Sequence, residues 1–226
     1  MGQYYDWVNP DKKEYLCPGD YDLGNKRYES CLKDSEILLS LKDLLYNEWR
    51  GDHIFWVGDY YVPDESTIEY FKDLAEPDDK DLPLFDRYLG VYKNVGGLFK
   101  ATEDDVRKEI QLYLEDLKSG DHYIDNEYGV DESDPYKGLF KRNGRQYKYT
   151  LNHTKRIFYD IDNIRVFFGN NKVYDTVDPL PGLMECGKNC KKGDWVGDII
   201  GVSDDLPEGY EQLMEIHLEC SFEKGE

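Results

Sequence analysis

The chain has 226 residues, of which 39% are hydrophobic and 15% aromatic, enough for a real core in one large domain or two small ones. Its 48 acidic residues against 28 basic ones leave a net charge of -20. That charge repels phosphate backbones and anionic lipid, which argues against direct nucleic-acid or membrane binding and suits a partner protein or nucleoprotein with a basic groove. No apolar run approaches the roughly 18 residues of a membrane span, and the first residues form no secretion signal, so a cytoplasmic protein with reduced thiols at its five cysteines is expected.

In chain order, Tyr4, Tyr5, Trp7 and Val8 lead into Asn9-Pro10-Asp11, a turn, and Tyr15-Leu16 return, which predicts a hairpin over residues 3–16. A helix follows, with Asp34 or Ser35 as N-cap. Ile37, Leu38, Leu41, Leu44, Leu45 and Trp49 share one face, and Gly51 is the stop. His53 to Val62 is apolar almost without alternation, as a central strand covered on both faces would be. Gly58 inside it predicts a bulge or a close approach.

From Pro63 to Tyr136 there are 21 acidic and 8 basic residues, so -13 of the net charge sits in about a third of the chain. Ser66-x-x-Glu69 predicts a capped short helix ended by Pro77, and residues 90–98 a Gly-rich connector. A second helix is predicted from Thr102, burying Val106, Ile110, Tyr113, Leu114 and Leu117. A polar acidic loop then runs from Asp121 to Tyr136.

Tyr147 to Tyr159 repeats the opening hairpin, and Ile164–Phe168 with Lys172–Val177 predicts another. Pro179-Leu180-Pro181 is expected to be a rigid loop. The last strand alternates, Met214, Ile216, Leu218, Cys220 and Phe222 inward, and reads as a half-exposed antiparallel strand.

One motif organises the whole. Trp56-Val57-Gly58-Asp59 returns as Trp195-Val196-Gly197-Asp198, and each copy follows a related hairpin, Val8–Tyr15 and Leu151–Phe158. Two matched signals in one order suggest a duplicated unit. The expected architecture is α+β and mainly antiparallel, with an N-terminal α+β half (1–62), a partly helical acidic insertion (63–144) and a C-terminal, mainly β half (145–226). The halves are expected to pack as one domain.

For chemistry, Asp59 and Asp198 are candidates for a metal-binding or acid-base pair, helped by His153 or His53, in an enzyme acting on a nucleotide or signalling molecule. Cys186, Cys190, His217 and Cys220 are weak zinc candidates, because His217 and Cys220 have opposite strand parity. No phosphate-binding loop, nucleophile elbow or dinucleotide fingerprint is present. No cofactor or metal is therefore expected. The preferred expectation is a binding protein whose acidic surface enters a basic groove, with Asp78, Asp79, Asp81, Asp125, Glu127, Asp131, Glu132 and Asp134 as the carboxylates and Tyr123, Tyr128 and Tyr136 as aromatic anchors. A self-associating scaffold is the third expectation, and the oligomeric state is left open.

Met1-Gly2-Gln3-Tyr4-Tyr5, Val8-Asn9, Asp11-Lys12-Lys13-Glu14-Tyr15-Leu16, Trp56 with Gly58-Asp59-Tyr60, Leu151-Asn152-His153-Thr154-Lys155, Pro179-Leu180-Pro181 and Trp195 with Gly197-Asp198 together resemble a family of uncharacterised proteins of bacteria and their phages. The resemblance covers both ends of the chain and not the middle. Its relatives carry a Gly-rich segment after the Pro-Leu-Pro stretch, whereas Glu185 to Lys192 here contains two cysteines and three lysines. It brings no activity with it. Taken together with the concentrated acidic insert and the lack of a catalytic signature, the resemblance leads to the expectation of a phage-type cytoplasmic inhibitor that binds a host nucleic-acid-handling defence complex, as anti-CRISPR proteins do.

Overall fold

A computed structural model describes residues 3–21, 30–74, 82–99, 142, 144–169, 172–187 and 191–218. The helix expected from Thr102 and the acidic loop after it lie outside these residues. Three sheets hold the described part together, and the architecture is α+β.

The first sheet grows from the opening hairpin. Strands β1 (Tyr5–Asn9) and β2 (Glu14–Leu16) pair antiparallel through Trp7↔Leu16, Val8↔Tyr15 and Asn9↔Glu14. On its other side β1 pairs with β3 (Phe55–Gly58), Trp7 opposite Trp56 and Val8 opposite Phe55. Strand β4 (Lys93–Asn94) adds in parallel beside β2, and β9 (Glu185–Cys186) in parallel beside β3, giving the order β4-β2-β1-β3-β9.

A second sheet has the order β10-β5-β6-β11, from β5 (Tyr149–Asn152), β6 (Ile157–Asp160), β10 (Ile200–Ser203) and β11 (Glu211–Leu213). Thr150↔Tyr159, Leu151↔Phe158 and Asn152↔Ile157 repeat the β1/β2 register, Gly201↔Leu151 and Val202↔Thr150 repeat that of β3/β1, and the parallel pair Glu211↔Ile157 repeats Lys93↔Glu14. Four strands thus agree in order, direction and register. A third sheet joins β12 (Glu215–Leu218), β7 (Arg165–Phe168) and β8 (Lys172–Val173).

The correspondence does not run through the residues expected. Trp56-Val57-Gly58 lies in β3, whereas Trp195-Val196-Gly197-Asp198 forms a turn ahead of β10. Its counterpart is Trp49-Arg50-Gly51-Asp52. Gly51 and Gly197 share a φ of 84°, a left-handed conformation that only glycine adopts cheaply. The Asp52 amide donates to the Trp49 carbonyl at 3.1 Å, and the Asp198 amide to that of Trp195 at 3.0 Å. Gly58 answers a different need: its missing side chain leaves room for that of Gln3.

Helix α1 (Glu36–Tyr46) supplies the centre of the core. Ile37, Leu38, Leu41, Leu44 and Leu45 are buried with Tyr5, Trp7, Leu16 and Trp56 of the first sheet, Tyr159, Ile200 and Val202 of the second, and Val166, Phe168, Ile216 and Leu218 of the third. The helix stops before Gly51 because the Asn47 side chain folds back on the Asp43 carbonyl, at 3.0 Å. Trp49 still buries completely, from the turn beyond. Lys42, on the same helix, is fully buried against Asp178 at 2.5 Å.

The outer face of the first sheet presents Val8, Phe55, Val57 and Cys186. Tyr61, Phe71, Leu74, Leu84, Tyr88 and Tyr92 cover it. Phe71 and Leu74 arrive on a 3-10 helix, Ile68–Leu74, where a short helix was expected, and Leu84 and Tyr88 on α2 (Leu84–Tyr88), a helix that the sequence pattern missed. The 3-10 segment is started by Asp64, whose carboxylate accepts from the Ser66 amide and from the Ser66 and Thr67 hydroxyls, in place of the expected Ser66/Glu69 box.

Two further expectations change. β12 alternates as expected, Ile216 and Leu218 buried, Glu215 and His217 exposed, but it runs parallel to β7, and Met214 is exposed. Pro179-Leu180-Pro181 enters a one-turn helix, α3 (Leu180–Leu183), because proline is well placed in a first helical turn, where its missing N–H costs nothing. Among the described residues, five strand pairs are antiparallel and four parallel, so the sheets are mixed. The long connections between β2 and β4, or β3 and β9, are what parallel pairing requires.

Candidate functional site

The two matching turns meet. His53 and Ile199, the residues after Asp52 and Asp198, form an antiparallel bridge with each other. On one side the Asn9 side chain accepts the Lys12 amide at 3.0 Å and donates to Asp52 at 2.9 Å, and Lys12 pairs with Asp52 at 3.2 Å. On the other, Asn152 accepts the Lys155 amide at 2.9 Å and donates to Asp198 at 2.7 Å, and Lys155 pairs with Asp198 at 2.8 Å. Asp11 accepts the His53 amide at 2.7 Å, and Thr154 that of Ile199 at 2.9 Å. Lys13 and Arg156, at φ 57° and 56°, close the two hairpin turns in the left-handed region.

Asp198 is therefore held by an amide and an ammonium of its own half, and Asp52, not Asp59, is its counterpart. Asp59 lies beyond the far end of β3. It is six positions on from His53, so at about 3.3 Å per extended residue it is roughly 20 Å along the strand from the bridge beside Asp198. Its amide donates to the Tyr4 carbonyl at 2.9 Å, and its carboxyl is raised by burial, offset in part by backbone N–H groups. The structure does not bring Asp59 and Asp198 together into one centre.

His153 stands at the rim of an open cavity of about 360 Å³, whose walls include Tyr46, Arg50, Leu151, Gly201 and Leu206. His153 Nδ1 meets the Tyr210 hydroxyl at 2.8 Å, their rings edge to face. Partial loss of water lowers the imidazole below its ordinary value of 6.5, and the charge of Arg50 adds to the effect. The ring is thus neutral at pH 7. The Arg156 guanidinium lies over the Tyr210 ring, 5.6 Å from its centre. Asp205 contributes the one carboxylate among the lining residues.

Cys186 is buried beneath Tyr61, its thiol pushed up to about 12 chiefly by burial. His217 is exposed on a different sheet, stacked on Phe167. Cys190 and Cys220 lie outside the described residues, and among those described no three His, Cys, Asp or Glu side chains form a group able to hold a metal. Asp78, Asp79, Asp81, Asp125, Glu127, Asp131, Glu132, Asp134, Tyr123, Tyr128 and Tyr136 also lie outside them.

Sequence reasoning missed the Asn-x-x-Lys pair and the role of Arg50. Aligning Trp49-Arg50-Gly51-Asp52 with Trp195-Val196-Gly197-Asp198 would have exposed both. Fold and site define an α+β protein in which four strands of the first sheet and the four of the second share one plan and meet at paired Gly-Asp turns. Comparison with protein-family models, with curated proteins and with solved structures finds no match.

Proposed function

We propose that the protein is a phage-type cytoplasmic inhibitor that binds a basic groove of a host nucleic-acid-handling complex through its acidic segment. One observation carries this reading: 21 acidic against 8 basic residues between Pro63 and Tyr136, more than half of the net charge in about a third of the chain. Where that segment is described, Phe71, Leu74, Leu84 and Tyr88 anchor it to the first sheet, while Asp64, Glu65 and Glu69 stay exposed. Such a field speeds encounter with a basic surface, and aromatic anchors lengthen residence. The fixed, separated positions of Asp59 and Asp198 lend no support to the enzyme reading.

The test is affinity capture from a bacterial lysate at several salt concentrations. The wild-type chain is expected to retain a nucleic-acid-handling partner at low salt and release it at high salt. A variant with Asp125, Glu127, Asp131, Glu132 and Asp134 changed to their amides should lose it. Retention by that variant with the same salt dependence would place the binding surface elsewhere.

A further inference from the structure

The matching sheets allow one half to be read as a template for the other. Over the first sheet, the Tyr70 ring packs 5.0 Å from that of Phe55 and 4.9 Å from that of His53, and its hydroxyl donates to the Gly197 carbonyl at 3.2 Å. Val196 packs into the same cluster. By the shared register, the residue of the second sheet that corresponds to Phe55 is Gly201, and the turn residues that correspond to Val196 and Gly197 are Arg50 and Gly51.

The space beside those residues is open. A Cβ at Gly197 would meet the Tyr70 hydroxyl at 3.2 Å, whereas one at Gly51 would meet nothing within 4 Å. Where the first half seats an aromatic ring, the second has the cavity of about 360 Å³, a volume at the lower end of small-ligand pockets. Leu151, on the same face of the sheet as Gly201, gives it an apolar floor, and at Gly201 any Cβ would overlap His153 Nε2. The glycine is thus what lets His153 lie over the sheet.

The cavity differs from its template in charge. Arg50 replaces Val196, and its guanidinium has no ion pair or hydrogen bond with a described residue, in a chain of net charge -20. Ser203 is committed to the Asp205 backbone, its hydroxyl donating to the carbonyl at 2.9 Å and accepting the amide at 3.0 Å. Asp205 occupies the same rim, so an anion entering here is oriented with its charge toward Arg50.

We infer that this cavity binds a small aromatic anion, a flat ring bearing a carboxylate or phosphate. The ring takes the place that Tyr70 holds over the first sheet, and the acid pairs with Arg50 through the planar fork that suits both anions. The inference is independent of the acidic segment.

The test is amide-resonance titration of the full chain with 4-hydroxybenzoate and phenyl phosphate, with phenol and inorganic phosphate as probes lacking the charge or the ring. Saturable shifts at Gly51, His153 and Gly201 are expected with the aromatic anions, phenol and inorganic phosphate binding about tenfold more weakly or worse. The preference between carboxylate and phosphate identifies the acid. Arg50→Gln, an exposed turn substitution, should weaken binding by about tenfold while leaving the urea midpoint unchanged, and Arg50→Lys should recover part of it. Absence of saturable shifts with both aromatic anions at millimolar concentration, shifts confined to other residues, or unaltered binding by Arg50→Gln would each overturn the inference.

Discussion

Lys42 and Asp178 are fully buried and paired at 2.5 Å, and the network continues. Lys42 also donates to Gln146 at 2.9 Å, while Asp178 accepts from the Tyr159 hydroxyl at 2.6 Å and from the Leu180 amide at 2.9 Å. Helix α1 is thereby tied to the second sheet and to α3. Removing one charge leaves the other buried without compensation, so Lys42→Met should cost about 3–5 kcal/mol in urea unfolding. Replacing Asp178 by Leu in the same chain should restore part of that loss. Asp6 acts in the opposite sense. It is 1% exposed, and burial raises its carboxyl to about 7. Hydrogen bonds from Tyr88 and Cys17 oppose the rise, and Asp20 adds to it. The folded state therefore takes up a proton between the unfolded value of 3.8 and about 7. Its contribution is full below the unfolded value and is lost as pH rises through the folded one, at up to about 1.4 kcal/mol per pH unit. Asp6→Asn should remove that slope from stability measured between roughly pH 4 and 7.

At the scale of elements, the two hairpin turns have one construction. An Asn side chain satisfies the amide three residues on and reaches the Asp of the Gly-Asp turn. Asn9→Ala and Asn152→Ala should each lower stability by about 1–3 kcal/mol, and by similar amounts, because each leaves the corresponding backbone amide and aspartate short of a bond. A large inequality in thermal unfolding would show that the shared geometry does not imply shared energetics. Lys13 and Arg156 hold left-handed backbone at a cost that glycine avoids. Lys13→Gly and Arg156→Gly should each gain up to about 1 kcal/mol, the relieved strain exceeding the added freedom of the unfolded chain. The elements were largely legible in the sequence. Both hairpins follow from Asn-led turns between aromatic and β-branched runs, and α1 from its apolar face. The end of α1 was misplaced because Trp49 continues the buried face after the helix has ended.

For the whole molecule, charge decides two opposite responses to salt. A net charge of -20 repels itself in the compact state, so the melting temperature should rise between low and moderate ionic strength as screening shortens the range of that repulsion. Partner capture should weaken over the same range. A melting temperature indifferent to salt would mean that local ion pairs, such as Lys192 with Asp64 and Arg142 with Glu48, already neutralise the field.

What the sequence determined by itself was local: turn chemistry, strand alternation, the apolar face of a helix, and a concentration of carboxylates. These rest on sterics and periodicity within a few residues. Identity over four letters misled where geometry did not, since Trp56-Val57-Gly58-Asp59 is strand and Trp49-Arg50-Gly51-Asp52 is the turn that matches Trp195-Val196-Gly197-Asp198. Only the tertiary structure decided that β2 and β4, or β3 and β9, lie side by side, that a helical lysine is buried on a distant aspartate, and that a cavity opens where Gly201 stands opposite to the role of Phe55. Each depends on groups far apart in the chain being brought into contact by the burial of the shared core, and no window of neighbouring residues carries that information.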